Sequence, residues 1–109
     1  MVVVNTDYIT GQKLEIISIV RGSAVITKKF SSDLNASFTT LGDGKIKAYE
    51  IKTYTDMLNN AREVATTRMI EDAARFGADA VINVRYTTSS IMQGACEILA
   101  TGTAVKFIS

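Results

Sequence analysis

Few side chains in this 109-residue chain are equipped for chemistry, and its inventory removes whole classes of it. Cys96 is the single cysteine and there is no histidine. No Ser-His-Asp or Cys-His arrangement, no imidazole metal ligand and no disulfide within the chain can form. Thiophilic metals want thiolate or imidazole donors, so apart from the weaker methionine thioethers a soft-metal site could only use Cys96, with copies shared between subunits. Gly42-Asp43-Gly44-Lys45 opens a helical stretch, where backbone N–H groups could hold phosphate or carboxylate; the full P-loop pattern is missing. Asn83 and Arg85 are polar positions in an otherwise apolar strand. They could meet a ligand in a cleft between subunits, or pair across strands with Glu97. Tyr49 and Glu50 place a phenol and a carboxylate near the helix entry, a pair able to move a proton. Each group also has a plainer role. Cys96 serves as a small hydrophobe, the glycines as a turn, Asn83 and Arg85 as solvated residues, and Tyr49 and Glu50 as packing.

The elements that must carry these residues read as follows. Val2 to Thr6 is a short β-branched strand, and Asp7 through Gly11 a turn. Leu14 to Thr27 is the most strand-like stretch, with Gly22 in its middle marking a bulge or a close backbone approach. Phe30 to Leu41, rich in Ser, Thr, Asn and Asp, reads as a loop. From Lys45 to Phe76 there is no Gly or Pro. Leu58, Ala61, Ala65, Met69, Ala73 and Phe76 step by three and four along one helical face, which makes them core. Ile51, Thr53 and Thr55 lower the propensity of the upstream half, so the expectation is one helix that can kink there. Glu71 and Arg75 are spaced for an i,i+4 ion pair. Gly77 suits the left-handed residue that ends a helix. Ala80 to Thr87 is a strand, Thr87 to Gly94 a loop, and Cys96 to Ile108 the last strand. The order β-β-α-β-β predicts an α+β fold of two layers, an antiparallel sheet of about four strands packed on one long helix.

The strands do not alternate cleanly. With regular geometry, Leu14, Ile16 and Val20 face one way and Ile17, Ile19 and Val25 the other. One helix covers one face, and the chain has no spare element for the second. Burial against another copy of the chain is the economical answer.

Twelve basic and eleven acidic residues leave a net charge of +1, which gives no electrostatic basis for nucleic acid or an anionic membrane. No apolar run approaches the roughly 20 residues that span a bilayer. Met1-Val2-Val3-Val4-Asn5 lacks the basic start of a signal peptide. The expectation is one domain, residues 1–109, in the cytoplasm.

Several blocks together resemble one known family. Asn5-Thr6-Asp7 and Ile9-Thr10-Gly11-Gln12-Lys13 look like the opening of the YbjQ family, UPF0145. Gly42, Gly44 and Ala48-Tyr49-Glu50 resemble its glycine-rich helix entry. Gly77-Ala78-Asp79-Ala80-Val81-Ile82-Asn83-Val84-Arg85-Tyr86 resembles its signature strand, and Ala100-Thr101-Gly102-Thr103-Ala104-Val105 its C-terminal signature. The resemblance runs through the whole chain in order. It implies a ring-forming α+β subunit, typically in a homopentamer, and carries a heavy-metal-binding label without an established biochemical function. The leading expectation is therefore an oligomeric binding or structural module that holds a metal ion or small ligand between subunits. The alternative is an enzyme with an inter-subunit site built from Asn83, Arg85, Glu50 and Glu97. Weak nucleic-acid binding through lysines near Gly42 and Gly44 ranks third. No cofactor is named by these residues.

Overall fold

The β-branched and apolar runs become strands, and the glycine-free stretch becomes a helix. The structure, a computed structural model, describes residues 1–27 and 43–108; for residues 43–54 it describes the backbone path. The elements are β1 (Val2–Val3), β2 (Lys13–Thr27), α1 (Asp43–Ala74), β3 (Ala80–Met92) and β4 (Ala95–Ile108). They form an α+β fold of one helix on a four-stranded open sheet of order β1-β3-β4-β2. The molecule is elongated, 61 × 26 × 16 Å.

The sheet is mixed. The β2–β4 and β3–β4 pairs are antiparallel, while β1 runs parallel to β3. Beyond Val3 the hydrogen bonding goes on: Val4 N–H donates to Val81 O, Val84 N–H to Val4 O and Asn83 N–H to Thr6 O. The stretch expected as a strand from Val2 to Thr6 thus follows β3 to its irregularity. The segment Thr87–Met92, expected as a loop, is strand. Its Thr and Ser residues pair with Cys96, Glu97, Ile98 and Leu99 of β4, and the turn closes only at Gly94, with φ 78°. Polar composition does not exclude a strand here, because threonine is β-branched and sits well on a solvated pleat.

Helix α1 spans 32 residues, about 48 Å at 1.5 Å per residue. Ala61, Ala65, Met69 and Ala73 are buried against Val20, Ala24, Val81, Ile98, Ala100 and Ala104. The small alanines let the helix come close, and at Gly22 the approach is closest. A Cβ on Gly22 would overlap the helix backbone at Ala65 O and Met69 N. Of the two roles foreseen for Gly22, close approach is the one realised. Phe76, expected on the buried stripe, is instead 45% exposed, with the Arg75 guanidinium 5.9 Å from its ring centroid. The reason is the helix end. Gly77 N–H bonds Ala74 O and Ala78 N–H bonds Ala73 O, with Gly77 at φ 70°, a Schellman closure that carries Phe76 away from the sheet. Arg75 pairs with Asp72 at 3.1 Å rather than with Glu71.

A bulge at Ile17 reverses the expected faces. Ile16 stands opposite Val105 and Ser18 opposite Ala104, so one residue of β2 is extra. Ile17 and Val20 therefore share the helix side, while Ile19 and Val25 join Leu14 and Ile16 on the other. The second face is also not wholly without cover from its own chain. Val4 and Ile9 pack over one end of it, against Ala80, Ile82, Val105, Leu14 and Phe107. The rest stays bare, with Ile16 72%, Ile19 65% and Val25 52% exposed.

Candidate functional site

The sheet positions most of the candidate residues, and its irregularities decide which of them meet. Between Ile82 and Arg85 the β3–β4 register shifts, because Asn83 adopts φ 53°. Asparagine is among the residues that tolerate this left-handed conformation, and here its N–H is held by Thr6 O at 2.9 Å. Opposite the bulge lies Gly102, where a Cβ would overlap Val81 Cγ1. The side chains of Val81 and Val84 fill the space that a larger residue would need.

Asn83 and Arg85 line different hollows, although Arg85 stands opposite Thr101 and so shares the sheet face. Asn83 joins Ile19, Arg21, Leu99, Thr101 and Thr103 around a depression of about 430 Å³ on the bare sheet face. Arg85 lines a different cleft, at the sheet edge between Val4–Thr6 and Tyr86–Thr87. Glu97 stands opposite Val25 and Ser89, four residues along β4 from Thr101, the partner of Arg85. That is about 13 Å of strand, too far for the cross-strand pair considered from sequence. Among the described residues, the Arg75–Asp72 pair is the ion pair formed. Gly42 and the side chain of Glu50 lie outside the described residues, as does the Phe30 to Leu41 stretch. The backbone of Gly44 falls in the first turn of α1.

Cys96 is half-buried on the helix side, opposite Ile26 and Ser90. It lines a shallow recess with Met57, Leu58, Gly94 and Ala95. None of these neighbours is a carboxylate, and among the described residues no three His, Cys, Asp or Glu side chains come together.

Two further groups tie the helix to the edge strand. Asp72 Oδ2 accepts the Arg21 N–H at 3.2 Å, and Arg68 Nη1 donates to Ser23 O at 2.6 Å. These bonds occupy outward-facing backbone groups in the middle of β2 and blunt that edge against strand addition. On the other side of the helix, Thr66 Oγ1 and the Tyr86 hydroxyl lie 2.7 Å apart. Arg21, Thr101 and Thr103 were not picked out from sequence. One signal was there: Arg21 is the only charge between Ile16 and Thr27.

Comparisons with known proteins agree along the whole chain. A family model described as "Putative heavy-metal-binding" matches residues 1–108. A UPF0145 protein of Clostridium novyi is 50% identical over 99% of this chain and 100% of its own length. One from Alkaliphilus metalliredigens is 47% identical over the same shares. One from Thermotoga maritima is 47% identical over 97% of this chain and 96% of its own. A crystal structure of a protein of unknown function from Pediococcus pentosaceus, of the DUF74 family, has the same fold. It superposes with a TM-score of 0.66 at 13% identity, covering 99% of this chain and 98% of that one. On the strength of the full-length family match and the identity near one half, this chain belongs to the UPF0145 (YbjQ) family.

Proposed function

We propose that the protein is a non-enzymatic binding module that works as a homo-oligomer in the cytoplasm, with its ligand site where subunits meet. The observation that carries this reading is the bare half of the sheet face. Ile16, Ile19 and Val25 stand more than half exposed on one surface, beyond the reach of Val4 and Ile9. Such side chains on one face favour burial against a second copy, since contiguous apolar patches are what soluble monomers avoid. Repeated head-to-tail contacts close into a ring, and the family resemblance implies five subunits. Asn83 on this face and Arg85 at the sheet edge are the polar groups an adjoining subunit would approach.

The family's heavy-metal label does not fit the donors of a single chain. The one thiol faces the helix side, where the Met57 thioether is the other soft donor of its recess, and two such donors do not complete a tetrahedral shell. A thiolate site would need Cys96 from several copies, and contact through the bare sheet face leaves Cys96 on the opposite side. The small-ligand form of the reading is therefore preferred to the metal form. No helix among the described residues is long and apolar enough to cross a membrane.

Native mass spectrometry and light scattering at micromolar concentration test the assembly. The expected result is a closed oligomer for the wild type and smaller species or aggregate for Ile19→Lys. A stable wild-type monomer would overturn the proposal.

A further inference from the structure

The depression on the bare sheet face has a composition of its own. Its polar lining residues are Arg21, Asn83, Thr101 and Thr103, beside Ile19 and Leu99. All four can donate hydrogen bonds, and among the described residues no carboxylate lines the cavity. Among the described residues the Arg21 side chain has no ion-pair partner. Glu97, an acid on the same face, stands opposite Val25, four residues along the sheet from the Arg21–Thr101 position and so about 13 Å away. Asp72 is close to Arg21 only at the backbone. It accepts the Arg21 N–H with one oxygen and the Arg75 guanidinium with the other, which occupies its charge at the helix edge.

The backbone position of Asn83 is fixed rather than incidental. Asn83 is the described non-glycine residue with positive φ, and it sits at the two-residue irregularity of β3. Strained backbone of this kind is retained where the surroundings determine it, and here they do. Thr6 O holds its N–H, while Val84 is buried beneath Gly102. A regular strand would place residue 83 opposite Gly102, on the helix side of the pleat, and remove its amide from this face.

The geometry points to an oxyanion site: this depression binds the carboxylate or phosphate group of a small molecule. The guanidinium supplies the charge and a fork of donors, and the amide and hydroxyls complete the shell. Ile19 and Leu99 form apolar walls for a short hydrocarbon portion. This inference rests on the reading of the protein as a binding module, but not on its assembly, because one chain supplies every group named.

Isothermal titration of the intact protein tests it, with inorganic phosphate and with citrate as probes at constant ionic strength. The expected result is saturable binding at millimolar or lower dissociation constant for at least one probe. Arg21→Gln and Asn83→Asp should each weaken it by about tenfold or more, as loss or reversal of a charge-assisted contact does. Aspartate tolerates the left-handed conformation, so Asn83→Asp keeps the bulge while opposing an anion. Arg62→Gln, on the helix and bonded to Asn59, should leave the constant within about twofold, since it removes a charge without touching the shell or Asp72. Phosphate binding without citrate binding marks a phosphate site, and the converse a carboxylate site; both support the inference. No saturable binding by about 10 mM, where affinity is weaker than roughly 3 kcal/mol, overturns it. So does binding that Arg62→Gln weakens as much as Arg21→Gln. Mass measured on the same samples keeps the two proposals apart. A monomer that binds removes the assembly and leaves the oxyanion site, and an oligomer that binds neither probe does the reverse.

Discussion

Replacing Gly22 with alanine adds one methyl group at the closest contact between helix and sheet. The new Cβ would lie 2.7 Å from Arg68 C and would overlap Ala65 O and Met69 N. Carbon atoms rest at about 3.5–4.0 Å, so the helix backbone must retreat by roughly 1 Å. No flexible side-chain end stands in the way to yield instead. A gap of that size forfeits a quarter to a half of each dispersion contact beneath it. The contacts beneath it include Ala61, Ala65, Met69 and Ala73, the stripe that seals the core. Overpacking of this kind costs about 1–3 kcal/mol, and a rigid backbone obstacle puts Gly22→Ala near the top of the range. Reduced chain entropy in the unfolded state returns less than about 1 kcal/mol. The net expectation is a loss of about 2 kcal/mol, or a melting midpoint lower by roughly 8 °C or more. The bonds from Asp72 to Arg21 N–H and from Arg68 to Ser23 O should loosen with it, because they flank the same point. A urea melt followed by far-UV circular dichroism reads the stability. A Gly22→Ala midpoint within about 0.5 kcal/mol of the wild type would refute the close approach, since that is the scatter of surface substitutions.

Three other outcomes are expected. Ala65→Glu places a carboxylate at a fully buried position and should abolish cooperative folding, several kcal/mol of unpaired buried charge being more than a small domain can lose; a native-like urea transition would show the register of α1 to be wrong. Gly77→Val should cost about 1 kcal/mol or more through its φ of 70°, since a Cβ there has room, with Lys106 Cε at 3.7 Å; an unchanged thermal midpoint would contradict the left-handed helix end. If a thiophilic ion is bound, its stoichiometry should fall below one per subunit and vanish in Cys96→Ser, because one thiolate cannot complete a tetrahedral shell; affinity retained in Cys96→Ser would eliminate the thiolate as ligand.

Local pattern was enough for the elements and their order. Spacing by three and four from Leu58 to Ala73, the absence of Gly and Pro, and Gly77 after the last turn are properties of neighbours along the chain, and they marked the helix and its end. Runs of β-branched residues did the same for β2 and β4. What tertiary structure decided is relative placement. The extra residue at Ile17 moves Val20 to the helix side and leaves Ile19 bare, because side-chain facing has a period of two and one inserted residue inverts everything after it. Thr87–Met92 becomes strand because β4 offers it a partner, a contact that its own polar composition does not reveal. The candidate site follows the same division. Asn83 was legible as a polar break in an apolar strand. Its meeting with Arg21, Thr101 and Thr103 depends on a left-handed residue and on strands joined across more than sixty positions of sequence.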